Sequence, residues 1–259
     1  MTSEWSTAGA VEVNGVRLGY RESGDPAGTP VVLLHGTGSN SRTWDRFAAH
    51  LTATGHRAIA VDLRGHATSA RTADYSLTGI RDDLLGVLEI LDLRDAVLIG
   101  HSVGAYAALV AALHSPERIA KLVLEDLAAP PRRTVLLNGV SPIHLLAAAV
   151  IVATSRRDYE LRAMRSIFRQ LSRSDVDWWA RLGQVRQPTL ILSGGPSSFI
   201  PPPRLADVAA AIPDARLATI PVGHRVHSLA PDRFAAEVVA FLHEKSLSRP
   251  SRARRYGPR

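Results

Sequence analysis

A chain of 259 residues with 46% hydrophobic content is long enough for one large domain with a sizeable core, or for one domain carrying an insertion. It contains no cysteine, which excludes a disulfide framework, a thiolate metal site and a cysteine nucleophile, and suits a reducing compartment such as the cytoplasm. The net charge of +7 resembles a nucleic-acid signal, but Lys245, Arg249, Arg252, Arg254, Arg255 and Arg259 account for six of those charges in a stretch with no acid, so no nucleic-acid partner is expected.

The N-terminal ten residues carry Glu4 and no apolar core, so no signal peptide is expected. Val11-Glu12-Val13 and Val16-Arg17-Leu18-Gly19-Tyr20 flank Asn14-Gly15, a hairpin signal. Residues 30–34 (Pro-Val-Val-Leu-Leu) form a continuous apolar run that reads as a buried strand, ending in His35-Gly36-Thr37-Gly38-Ser39. A helix is predicted over 41–54, a strand over 57–61, and a helix over 77–91 with Leu84, Leu85, Leu88 and Leu91 on one face. The apolar run 96–99 is a further strand, followed by Gly100-His101-Ser102-Val103-Gly104 and an Ala- and Leu-rich helix over 105–113. A strand over 119–125 ends at Asp126.

The alternation then pauses over 127–187, which holds Pro130-Pro131, helical patterns and the pair Trp178-Trp179. Its longest apolar run, 143–153, is too short to span a bilayer. Alternation resumes with a strand over 189–193, a helix over 205–211, a strand over 216–220, Gly223-His224 and a helix over 231–243. The expected class is α/β: a mostly parallel sheet with helices on both faces, formed by 1–126 and 188–244. Residues 127–187 are expected as a helical lid, and 245–259, with its prolines and serines, as a disordered tail.

Gly100-His101-Ser102-Val103-Gly104 sits between a strand and a helix, the context in which G-x-S-x-G presents a serine hydroxyl at the top of a sheet. A serine nucleophile needs a base, and His224 follows a late strand after a glycine. The loop His35-Gly36-Thr37-Gly38 can aim a backbone N–H at a developing oxyanion, with the N–H of Val103 as second donor. These pieces, with Asp62-Leu63-Arg64-Gly65-His66, resemble the α/β-hydrolase fold superfamily over about residues 10–244. The resemblance implies Ser102 as nucleophile, His224 as base, an oxyanion hole from the Thr37 and Val103 amides, and a cap between Asp126 and Thr189.

The sequence departs from the family pattern twice. Ala67 stands where relatives often have a third glycine in D-x-R-G-H-G-x-S, a matter of local turn geometry. The loop after the strand 189–193, the usual place for the acid, reads Gly194-Gly195-Pro196-Ser197-Ser198 and offers no carboxylate. Asp126 is therefore expected as the acid, since it leaves the strand after the Ser102 helix on the same sheet edge, a position some haloalkane dehalogenases use. Glu125 ranks second, because a strand's period of two points it to the other face. The competing reading is that Asp126 only caps the start of the lid.

His101 and His227 are expected to pack or support rather than react, and Arg64 and His66 to tie loops together. Trp178 and Trp179 are either core or a substrate-pocket wall. The histidines show no metal-ligand spacing such as H-E-x-x-H, so neither metal nor cofactor is expected. The leading functional reading is a cofactor-free serine hydrolase of a hydrophobic small-molecule ester, lactone or thioester. Perhydrolase or C–C bond chemistry on the same residues, and a non-catalytic ligand-binding module, remain as alternatives.

Overall fold

The computed structural model describes residues 5–132 and 158–244; the apolar run 143–153 and the basic tail 245–259 lie outside the described residues. Eight strands form one sheet: β1 Thr7–Val13, β2 Val16–Ser23, β3 Pro30–Leu34, β4 Arg57–Val61, β5 Ala96–His101, β6 Ile119–Glu125, β7 Thr189–Ser193 and β8 Ala215–Thr219. Their spatial order is β1-β2-β4-β3-β5-β6-β7-β8. The β1–β2 hairpin closes through Asn14 and Gly15, both at positive φ. β2 runs antiparallel to β4, and every later pairing is parallel.

Strand periodicity sorts the core into two layers. Val32, Leu34, Ile59, Val61, Leu98, Leu122 and Leu124 face one cluster. Val31, Leu33, Ala58, Ala60, Val97, Ile99 and Val123 face the other. Helices α2 (Leu77–Ile90) and α3 (Val103–His114) cover the first layer, and α1 (Asp45–Ala53) covers the second. In α3, every residue from Val103 to Ala112 is buried, so its all-apolar composition reflects contact on all sides rather than a single face.

Several predicted boundaries move, two of them beside the candidate site. The helix expected over 41–54 divides into a 3-10 turn, Ser41–Trp44, and α1, because the Asn40 side chain accepts the Arg42 N–H and the Ser41 N–H is held by Asp62. The helix after Ser102 begins at Val103 rather than 105, since Ser102 itself occupies the cap position.

Between β6 and β7 lie α4 (Leu161–Leu171) and α5 (Val176–Arg181), then a 3-10 turn, Leu182–Gln184. Backbone bonds from Ala67 N–H to Asp158 O and from Glu160 N–H to Gly65 O dock this segment on the loop after β4. Its second anchor is aromatic. Trp178 stacks on Tyr106 of α3 with centroids 6.1 Å apart, and Trp179 Nε1 donates to Pro130 O at 3.0 Å. After β7 come α6 (Pro202–Ala211), the single turn α7 (Val226–Leu229) and α8 (Pro231–His243), the last packed on the α1 layer. Among the described residues, no helix is long and apolar enough to cross a membrane.

Because Trp178 is 4% exposed and projects from α5 into the core, Trp178→Ala should lower the unfolding free energy by about 3–5 kcal/mol. Chemical denaturation measures this; a loss below about 1 kcal/mol would show that the ring contributes little packing.

Candidate active site

The β5–α3 turn is compressed from both sides. A Cβ on Gly100 would stand 2.3 Å from the Gly104 carbonyl carbon, and one on Gly104 would stand 2.4 Å from Leu34 O. Neither position admits a side chain. Ser102 between them has φ 54° and ψ −114°, a strained backbone for a residue with a Cβ and one that costs on the order of 1–3 kcal/mol. Its N–H donates to Glu125 O at 2.9 Å, and its carbonyl accepts from Tyr106 N–H and Ala128 N–H. Val103 opens α3, so its N–H has no intrahelical acceptor. The loop after β3 leans on the same turn: a Cβ on Gly36 would lie 3.2 Å from Ser102 Cβ and 2.5 Å from His101 Nδ1. Thr37, the next residue, is half-buried.

Asp126 leaves β6 at φ 45° and is 0% exposed. Its Oδ2 accepts from His224 Nδ1 at 2.6 Å and from the Ser198 hydroxyl, and Oδ1 accepts from Gly194 N–H at 3.0 Å. The loop after β7, which has no acid of its own, therefore supplies two donors to an acid that arrives from the neighbouring strand. The His224 side chain is 20% exposed, and Phe199 meets its ring edge-on with centroids 5.3 Å apart. Gly223, at φ 94°, lets the chain turn into His224. Glu125 points away, as the period of two requires, and pairs with His227. Asp207, the next acid along the chain, lies on α6 and faces Arg132 instead.

The surrounding polar groups hold loops. His35 accepts the Leu63 N–H on Nε2 and donates from Nδ1 to Gly36 O. His66 accepts the Gly38 N–H on Nε2 and donates from Nδ1 to Arg64 O. Arg64 forks onto both oxygens of Asp83 and reaches Asp74. Burial pushes the Asp62 carboxyl up, but donors from Thr68 and Ser41 and the nearby His35 outweigh it and hold it below its usual range. Ala67 has φ 40°, the left-handed region, which explains why glycine suits that position.

Trp178 and Trp179, weighed as core or pocket wall, lie at 4% and 8% exposure within the core cluster; Arg132 covers the face of Trp179 at 4.1 Å. Sequence reasoning missed Ser198, Phe199 and the Glu125–His227 pairing. Two adjacent acids matched with two histidines three apart was the available signal for the last. Among the described residues, no group of three or more His, Asp or Glu is placed to hold a metal ion.

Three buried histidines are held neutral. Burial, reinforced by neighbouring His66, pushes His35 down to about 3. Burial also lowers His66, and burial with His224 and His227 nearby lowers His101 well below the ordinary value. Unfolded imidazoles take up protons near pH 6.5 while these do not, so the unfolded state binds more protons and stability falls as pH drops. Tm should be level above about pH 7 and decline between about pH 6.5 and 5, before ordinary carboxylates titrate. A calorimetric Tm unchanged over that interval would contradict the neutral assignment.

The sequence profile of the alpha/beta hydrolase fold matches residues 29–138. The chain is 28% identical to an sn-1-specific diacylglycerol lipase of Mus musculus, over 85% of this chain and 82% of that protein. It is 30% identical to the dihydrolipoyllysine-residue acetyltransferase component of an acetoin cleaving system from Pseudomonas putida, over 90% of this chain and 68% of that protein. The crystal structure of a hydrolase from Pseudomonas aeruginosa PA01 superposes with a TM-score of 0.74 at 25% identity, over 92% of this chain and 99% of that one. With its mostly parallel eight-stranded sheet, its serine elbow and these relatives, the chain belongs to the alpha/beta hydrolase fold family.

Proposed function

We propose that this protein is a cofactor-free serine hydrolase of hydrophobic small-molecule esters, lactones or thioesters. The bond from His224 Nδ1 to the buried Asp126 carboxylate carries the reading. With Nδ1–H given to the carboxylate, the basic nitrogen is Nε2, and the negative charge of Asp126 stabilises the imidazolium that forms. Ser102 Oγ attacks the substrate carbonyl carbon as its proton passes to His224 Nε2. The N–H groups of Thr37 and Val103 receive the oxyanion, the latter aided by the positive end of α3. Collapse expels the alcohol or thiol, which takes the proton from His224. Water then attacks the acyl-enzyme by the same route, releasing the acid and Ser102.

The apolar preference rests on Phe199, which is 49% exposed beside His224, and on the composition of the 127–187 segment, which acts as a cap that excludes water. The similarity to a diacylglycerol lipase supports the same class of substrate. Phe199 is an aromatic that borders the reacting histidine.

A fluorophosphonate probe should label Ser102 alone, and Ser102→Ala should lose several orders of magnitude in kcat on a reactive aryl ester. Labelling of a different serine, or full activity in the variant, would sink the proposal. Asp126→Asn should fold and lose about 10⁴-fold in kcat, because the amide cannot hold the required tautomer. Near-normal turnover in that variant would remove Asp126 from the mechanism.

A further inference from the structure

We infer that Glu125, His227 and Thr43 form a second acid–imidazole–hydroxyl array that positions the catalytic histidine; this rests on the serine-hydrolase reading above. The two acid–histidine pairs run side by side between the same two loops. Asp126 and His224 meet at 2.6 Å on the site side, and Glu125 and His227 meet at 2.7 Å beneath it. The second pair is sealed, with side-chain exposures of 0% for Glu125 and 1% for His227. Its carboxylate also accepts the His227 backbone N–H at 2.9 Å. His227 Nε2 meets Thr43 Oγ1 at 2.6 Å, so the Thr43 hydroxyl donates to it when Nδ1 carries the proton.

A buried acid–imidazole pair is a poor source of stability, since an apolar pair of the same shape often serves as well. Its value lies in geometry. Glu125 grips both halves of the site at once: its backbone carbonyl takes the Ser102 N–H, and its side chain takes the His227 loop. Only Arg225 and the fully buried Val226 separate His227 from His224. The His101 ring fills the space between, 4.6 Å from the His224 ring and 5.2 Å from His227, and its Nε2 donates to the His224 carbonyl at 2.8 Å. Trp44 packs against the other side of His227 with centroids 4.4 Å apart. His227 thus has one position available to it, and His224 inherits that position through two intervening residues.

Displacing a catalytic group by about 1 Å costs on the order of 100-fold in rate. His227→Asn, which keeps a donor near Nδ1, and Glu125→Gln should each lower kcat by about 10–100-fold with KM nearly unchanged. The rate of fluorophosphonate labelling at Ser102 should fall in parallel, read well below Tm and per folded molecule. In an Asp126→Asn background, His227→Asn should add little further loss, since both act through His224. Thr43→Val, which leaves the Glu125–His227 hydrogen bonds intact, should lower kcat by a smaller factor and decides the matter if the other variants do not fold.

A lowered Tm with unchanged kcat per folded molecule would overturn the inference and leave the array as a structural pair only, as would unchanged kcat in Thr43→Val where it alone folds. Ser102→Ala, run alongside, separates the two levels. If it is fully active, the hydrolase reading fails. If it is inactive while the His227 and Glu125 variants keep wild-type kcat, only the positioning role fails.

Discussion

The parallel register of β5 and β6 sets His101 opposite Glu125, so Ser102 and Asp126 leave the sheet side by side at its C-terminal edge. Everything else in the site depends on that adjacency. The Ser102 N–H reaches back to Glu125 O, Asp126 N–H reaches on to Leu192 O of β7, and the two crossings lock three strand ends together. His224, arriving from beyond β8, then needs only one glycine turn to bring Nδ1 onto a carboxylate that is already fixed.

This arrangement stores strain where the chemistry is proposed. Ser102 and Asp126 both hold positive φ, a conformation in which a Cβ crowds its own backbone. The surroundings over-determine both residues. Glycines 100 and 104 allow the chain to approach within backbone contact, and Gly194 N–H, the Ser198 hydroxyl and His224 satisfy the Asp126 carboxylate. A buried carboxylate with three donors has little freedom to turn, which keeps the imidazole in one tautomer and one orientation.

The histidine-rich belt around the site follows the same logic with neutral rings. His35 and His66 each accept a backbone N–H on Nε2 and donate from Nδ1, so protonation would set two donors against each other. Burial prevents that and keeps the His35–Gly38 loop closed against Ser102. Trp178 and Trp179 work at longer range: they fasten α5 to α3 and to Pro130.

Much of this molecule was legible in one dimension. Apolar runs and turn residues located β3, β4, β6 and β7, because a buried parallel strand must be apolar on both faces and must end where the backbone turns. The resemblance pointed to Asp126 as the expected acid, because the loop where relatives usually carry it has none here, and a strand's two-residue period separated Asp126 from Glu125. What sequence left open were contacts between residues far apart in the chain. The Ser198 hydroxyl on Asp126, Thr43 against His227 across 184 positions, and the depth of Trp178 each depend on how sheet, loop and helix pack. Local sequence sets where a chain turns and which face of a strand a side chain takes. Which partner waits on that face is decided by packing, because it takes the whole sheet to bring the strand ends and their loops together.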